Sequence, residues 1–222
     1  MHPQILNYED EVPVMSMRLY LDVETYRPRK EDAFTGEKII AIGILEDWTP
    51  YTPGSSEIWD DARVRLRYFT EWELGGESSI VSQFYDYLRR LIQDWKNGKI
   101  GFLNVVGFNI LRYDIPLLIQ KGIEYNVGSP VELNKLWHDT FTIDYFQTTL
   151  PFHDMRFKKL NIEYLVEKAK SNGIYVPEPF GSGGDVKDWY ENREYDKIIK
   201  HLEMDLKIIR IIDLNYRRVY GF

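Results

Sequence analysis

An α/β domain, a mixed sheet with helices packed on it, is the fold class this sequence predicts, on three observations. Three strand-like segments come in succession and are followed by helix, strand, helix. The 222 residues are 44% hydrophobic and 15% aromatic, enough for one sizeable core. There is no internal repeat or low-complexity tract that would call for a repetitive architecture. Residues 1–17 read as an N-terminal extension and 18–222 as a single domain.

The elements follow in order. RLYLDVETY (18–26) alternates Leu19, Leu21 and Val23 with Tyr20, Asp22 and Glu24, the period of two that sends successive side chains to opposite faces of a strand. KIIAIGILED (38–47) is a second strand, and residues 47–61 are rich in turn formers. RVRLRYFT (63–70) is a third, alternating strand. Apolar residues at Ile80, Phe84, Tyr87, Leu88, Leu91 and Trp95 have helical spacing, closed by Asn97-Gly98. FLNVVGFN (102–109) is a buried strand. DIPLLIQKG (114–122) is a short helix with Pro in its first turn and Gly at its end. A polar connector leads to a strand at FTIDYF (141–146) and a helix at 159–173. PEPFGSGGD (177–185) is a mobile connection without the Lys-Ser/Thr of a phosphate loop, and a long helix runs from about Tyr195 to Tyr216.

Composition narrows the function. The formal net charge of −7 lacks the basic excess of proteins that coat duplex nucleic acid, so a nucleic-acid ligand has to be held locally or through cations. The absence of cysteine excludes disulfides and thiolate metal sites. No apolar run approaches the ~20 residues of a membrane span, and MHPQILNYEDEVPVM lacks a basic region followed by an apolar stretch. The expectation is a soluble cytoplasmic protein without a membrane partner.

The acids are the unusual feature. Asp22 and Glu24 share one face of an otherwise apolar strand. On the last helix, at 100° per residue, Ile198, His201, Leu202, Ile208, Ile209 and Ile212 fall within about 60° of Asp205. Lys200, Glu203, Lys207 and Arg210 fall on the opposite, solvent side. A lone buried acid is ordinarily paired with a core Arg or, here, with His201. Three acids on apolar faces without a matching set of cations ask instead for a hard divalent ion, Mg²⁺ or Mn²⁺, which takes oxygen ligands. Asp114 is either a cap of the helix at 114–122 or a fourth member of that set.

Together these residues resemble the DEDD (DnaQ-like) superfamily of 3′–5′ exonucleases, most of all the proofreading exonuclease domain of family-B DNA polymerases. Asp22-Val23-Glu24 matches its D-x-E motif, and Asn109-Ile110-Leu111-Arg112-Tyr113-Asp114 its second motif. His201-Leu202-Glu203-Met204-Asp205 matches the third, with His at the spacing where the polymerase-like branch has Tyr. The histidine-using branch places its His one residue earlier, where this chain has Lys200.

The resemblance implies a ribonuclease-H-like fold with a five-stranded mixed sheet flanked by helices. It implies that Asp22, Glu24, Asp114 and Asp205 hold two Mg²⁺ or Mn²⁺ ions, with Asp22 between them and His201 as general base. It also implies that Thr25, Tyr26, Asn109 and Tyr113 contact the terminal nucleotide. The partner would be the 3′ end of single-stranded DNA, or of RNA in an oligoribonuclease-like variant, cut to 5′-monophosphates. With no polymerase palm before the sequence ends at Phe222, the enzyme would act alone or in trans to replication or repair proteins. A degenerate exonuclease fold kept as a binding or scaffolding module is the alternative outside catalysis. RFKK (156–159) reads as a solvated basic face, and His2, His138 and His153 have no ligand spacing.

Overall fold

A computed structural model describes residues 15–29, 31, 33, 35–49 and 62–221. The proposed N-terminal extension lies almost wholly outside these residues, as does most of the turn-rich stretch at 47–61. One five-stranded mixed sheet organises the chain, in the order β3-β2-β1-β4-β5. The strands are β1 (Met17–Tyr26), β2 (Lys38–Asp47), β3 (Val64–Thr70), β4 (Leu103–Gly107) and β5 (Phe141–Asp144). β1–β2 and β2–β3 are antiparallel, whereas β1–β4 and β4–β5 are parallel. The ribonuclease-H-like expectation of a five-stranded mixed sheet flanked by helices is met.

The alternation in β1 sorts its side chains as expected. Leu19, Leu21 and Val23 enter a core built with Ile80, Phe84 and Leu88 of α2 (Glu77–Lys96) and Leu117 of α3 (Asp114–Glu124). Tyr20 points to the other face, into a core with α6 (Ile162–Ser171), α8 (Tyr195–Leu214) and α9 (Tyr216–Tyr220). Gly43 of β2 lies in register with Asp22, and a Cβ there would stand 3.1 Å from side-chain atoms of both Leu202 and Leu206. The missing side chain lets α8 lie close against the sheet beside Asp22.

Several expectations are corrected. The polar connector before β5 contains α4 (Pro130–His138), which starts with the Ser129 hydroxyl accepting from the Glu132 amide at 3.2 Å. Only Leu133 and Trp137 anchor it, too few apolar residues to show a helical period. The strand expected over 141–146 stops at Asp144, because the Asp144 carboxylate accepts from the Phe146 amide (2.9 Å) and opens α5 (Tyr145–Thr149). The Asn161 side chain delays α6 to Ile162 in the same way. Short helices α1 (Glu71–Leu74) and α7 (Val186–Glu191) lie outside the elements read from sequence. The terminal helix breaks at Asn215 into α8 and α9.

Arg210 is a correction of substance. It is buried and donates from Nε to Asp47 at 2.8 Å, although helical geometry puts it opposite Asp205. The C-terminal half of α8 is enclosed on several sides, so consecutive residues Ile208, Ile209 and Arg210 are all buried. Among the described residues no helix is long and apolar enough to cross a membrane.

Candidate active site

Four carboxylates and one imidazole meet where the C-terminal half of β1, the start of α3 and the middle of α8 come together. They line a cavity of about 470 Å³. Asp22 and Glu24 come from β1, Asp114 is the first residue of α3, and His201 and Asp205 lie one turn apart on α8. The capping role for Asp114 is not what the structure shows, since Tyr113 occupies the N-cap position and no side chain caps the helix.

The electrostatics are severe. Burial, followed by repulsion from Asp22, Asp205 and Asp114, pushes the Glu24 carboxyl well above the usual carboxylate range. Asp114 is pushed well up by burial and Asp22, against hydrogen bonds from its own amide and that of Val23. Asp205 is raised to about 8 by burial, Asp22 and Glu163. Asp22 is raised by burial, with His201 opposing. Among the described residues, Asp22 Oδ2 and Asp205 Oδ1 are buried and have no hydrogen-bond partner.

His201 is held from behind. Its Nδ1 lies 2.8 Å from the Phe180 carbonyl, which can only accept, so Nδ1 carries a proton. Its Nε2 faces the acids, 3.3 Å from Glu24 Oε1 and 3.9 Å from Asp205 Oδ2. The Trp189 ring meets the imidazole edge-on at 5.9 Å. Gly181, at φ +68°, sits so close to Trp189 that a Cβ would be 2.3 Å from the indole. The glycine-rich stretch expected as a mobile connection is therefore a wall of the cavity and the backing of His201.

Of the residues expected to contact a nucleotide, Thr25, Asn109 and Tyr113 line the cavity. Among the described residues, Asn109 Oδ1 is buried there and has no partner. The Thr25 hydroxyl donates to Glu37 at 2.8 Å, and the Tyr113 hydroxyl donates to the same carboxylate. Tyr26 is not in the lining. It packs on Tyr190 at 4.8 Å and donates to Glu191.

Two supporting acids escaped the sequence reading. Asp144 lies beside Gly107 in the β4–β5 register and accepts from the Asn109 and Leu111 amides at 2.8 and 3.0 Å. It thereby fixes the loop that delivers Asn109, itself at φ +63°. Buried Glu37 ties Thr25 to Tyr113. A polar residue ending a strand is the sole local signal for Asp144, and Glu37 has none.

The donor set fits a hard divalent cation: every carboxylate ligand is oxygen, and two buried oxygens lack partners. Among the described residues, no three His, Asp or Glu side chains are arranged to hold a single ion together. One or two carboxylates per ion is the ordinary protein share for Mg²⁺, which keeps water and phosphate oxygens in its other positions. A larger cavity of about 870 Å³ lies at the opposite end of β1, between Arg18, Trp48, Phe102 and Tyr216. Its acid, Asp213, is already engaged by two tyrosine hydroxyls, and its walls adjoin chain outside the described residues.

In fold, the chain is similar to a family B DNA polymerase from the hyperthermophilic archaeon Pyrobaculum calidifontis, with a TM-score of 0.55 and 14% sequence identity. The match covers 89% of this chain and 24% of the polymerase chain. No family model and no curated protein sequence matches the chain. The likeness establishes the fold: an α/β sheet-and-helix unit that recurs within a polymerase.

Proposed function

We propose that this protein is a divalent-metal-dependent 3′–5′ exonuclease that shortens single-stranded DNA from its 3′ end and releases nucleoside 5′-monophosphates. The observation that carries the reading is the meeting of Asp22, Glu24, Asp114 and Asp205 around one cavity, with unpartnered buried oxygens on two of them. The sequence resemblance to proofreading exonuclease domains and the fold likeness to a polymerase point the same way.

Those four carboxylates would hold two Mg²⁺ or Mn²⁺ ions. Such a pair, when bound, supplies Lewis acidity at the scissile phosphate and stabilises both the attacking and the leaving oxygen. The chain's own groups do the rest. His201 keeps its Nδ1 proton on the Phe180 carbonyl and presents Nε2 as the acceptor for a proton from water. Asn109, with its free amide oxygen, positions the terminal nucleotide, and the Thr25–Glu37–Tyr113 chain keeps that wall rigid. Attack by water on phosphorus breaks the bond to the 3′ oxygen of the penultimate sugar. The phosphate leaves on the released nucleotide, and the shortened strand keeps a 3′ hydroxyl.

The test is a 5′-labelled single-stranded DNA incubated with Mg²⁺ or Mn²⁺, beside a matched RNA and beside Asp22→Ala. The expected result is a ladder shortening from the 3′ end, abolished by chelator and reduced about a thousandfold or more in the variant, the equivalent of several kcal/mol of transition-state stabilisation. A folded wild-type protein that yields no product with either ion overturns the reading, and the RNA arm reads the sugar preference.

A further inference from the structure

Beside the acidic cavity lies a surface of opposite character. The segment 150–160, between α5 and α6, carries Arg156, Lys158 and Lys159 against one acid, Asp154, in a chain whose net charge is −7. It also exposes large apolar side chains: Met155 is 61% exposed, Phe157 55% and Phe152 40%. Exposed apolar groups interleaved with cations fit neither a core nor a plain solvated face.

This surface is built rather than loose. The Met155 amide donates to the Leu150 carbonyl at 3.0 Å, and the Arg156 amide to that of His153 at 2.9 Å. Asp154, Met155 and Lys159 hold positive φ angles of 51°, 57° and 65°, a conformation that side chains disfavour and that concentrates at ligand-handling sites. The segment is also joined to the cavity. Phe108, in the cavity lining, meets Phe146 edge-on at 5.7 Å, and Phe146 lies 5.8 Å from Phe157. Arg112, two residues before Asp114, sets its guanidinium 5.0 Å from the Phe146 ring and 4.7 Å from that of Phe157. A run of rings and one cation thus leads from the cavity wall to the exposed surface.

We infer that Arg112, Met155, Phe157, Lys158 and Lys159 form a platform for the unpaired strand upstream of its 3′ end. Bases stack on the exposed ring of Phe157, which Arg112 braces, and Lys158 and Lys159 meet the phosphates. Stacking on an aromatic face is indifferent to base identity, and cations that track the backbone supply charge complementarity that the acidic cavity cannot. The basic run, a solvated face by sequence alone, is in this account the substrate's approach. The inference rests on the exonuclease reading for the direction of the strand, but its binding test does not need turnover.

Two labelled single-stranded DNAs, a 12-mer and a trinucleotide, separate the possibilities. Anisotropy in chelator and degradation kinetics in Mg²⁺ are measured for wild type, Phe157→Ala and the double variant Lys158→Ala/Lys159→Ala, with melting curves to confirm the fold. For Phe157→Ala, 12-mer binding should weaken about tenfold, with KM rising in step and kcat unchanged, while trinucleotide turnover stays as in wild type. The double lysine variant should lower the slope of log affinity against log salt by roughly 0.7 for each phosphate that the lysines no longer neutralise. Wild-type behaviour of both variants toward the 12-mer overturns the platform and leaves the exonuclease reading standing. If wild type binds the 12-mer through Phe157 but never cuts it, the platform holds and the exonuclease reading fails. If wild type neither binds nor cuts, both fall.

Discussion

β1 and α8 carry two clusters of buried charge, one near each end of their shared interface. At one end Arg18 and Tyr20 of β1 and Arg210 and Asp213 of α8 close with Asp47 and Tyr145. Asp47 is fully buried and accepts from Arg210, from Arg18 and from both the amide and the hydroxyl of Thr49. Asp213 takes Tyr20 on one oxygen and Tyr145 on the other, each at 2.7 Å. Two arginines balance two aspartates. At the other end, Asp22, Glu24, Asp114 and Asp205 face one another. Among the described residues, His201 is the sole cationic candidate in that cavity apart from half-exposed Arg27. The first cluster satisfies both of its carboxylates from within, as structural ion networks must when their desolvation cost is large. The second leaves oxygens without partners, and a folded chain tolerates that where something else is to bind.

The sharpest way to break this contrast is to neutralise one aspartate in each cluster. Asp47→Asn should cost about 3–5 kcal/mol, because two buried guanidinium groups lose their anion. Asp22→Asn should instead raise the metal-free melting temperature, because it removes one of several repelling charges. Thermal unfolding in chelator reads both, and a drop of similar size in the two variants would erase the distinction. Next in size is His201→Ala, expected to lower turnover by roughly a hundredfold or more while ion and DNA binding persist, the range for loss of a general base. Wild-type rates would remove the histidine from the chemistry.

Gly181→Ala sharpens the comparison more gently. A Cβ would collide with Trp189 and shift the loop whose carbonyl steers His201. A fall in kcat of about tenfold with KM unchanged is the expected outcome of such a misalignment, read by steady-state kinetics. A separate prediction concerns pH. An unfolded aspartate titrates near ~3.9, whereas Asp205 in the folded chain is raised to about 8. The folded state therefore binds this proton more tightly. The resulting stabilisation is complete below about pH 4 and is lost as pH rises toward about 8. Metal-free melting temperatures should fall from pH 5 to pH 8, less steeply in Asp205→Asn; a wild-type midpoint that climbs over that range would contradict the assignment.

Periodicity made the frame legible. Alternation in β1 put Asp22 and Glu24 on one face, and the 3.6-residue period of α8 put His201 beside Asp205, as the folded chain has them. Both are local consequences of backbone geometry, and local geometry is what a sequence writes down directly. The same period failed for Arg210, because its guanidinium is drawn in by buried Asp47 of β2, 163 residues away in sequence. α4 was hidden for a related reason: two apolar anchors are too few to display a period.

By itself, then, the sequence determined the sheet-and-helix order, the faces of β1 and α8, and the presence of acids where apolar residues belong. Tertiary structure alone decided which buried charges find partners and which do not. It also put Asp144 beneath the Asn109 loop, the Phe180 carbonyl behind His201, and a basic aromatic segment at the cavity's edge. The reason is physical. Side-chain direction follows from a few neighbouring dihedral angles, whereas neutralising a buried charge requires a group brought close by the packing of the whole chain.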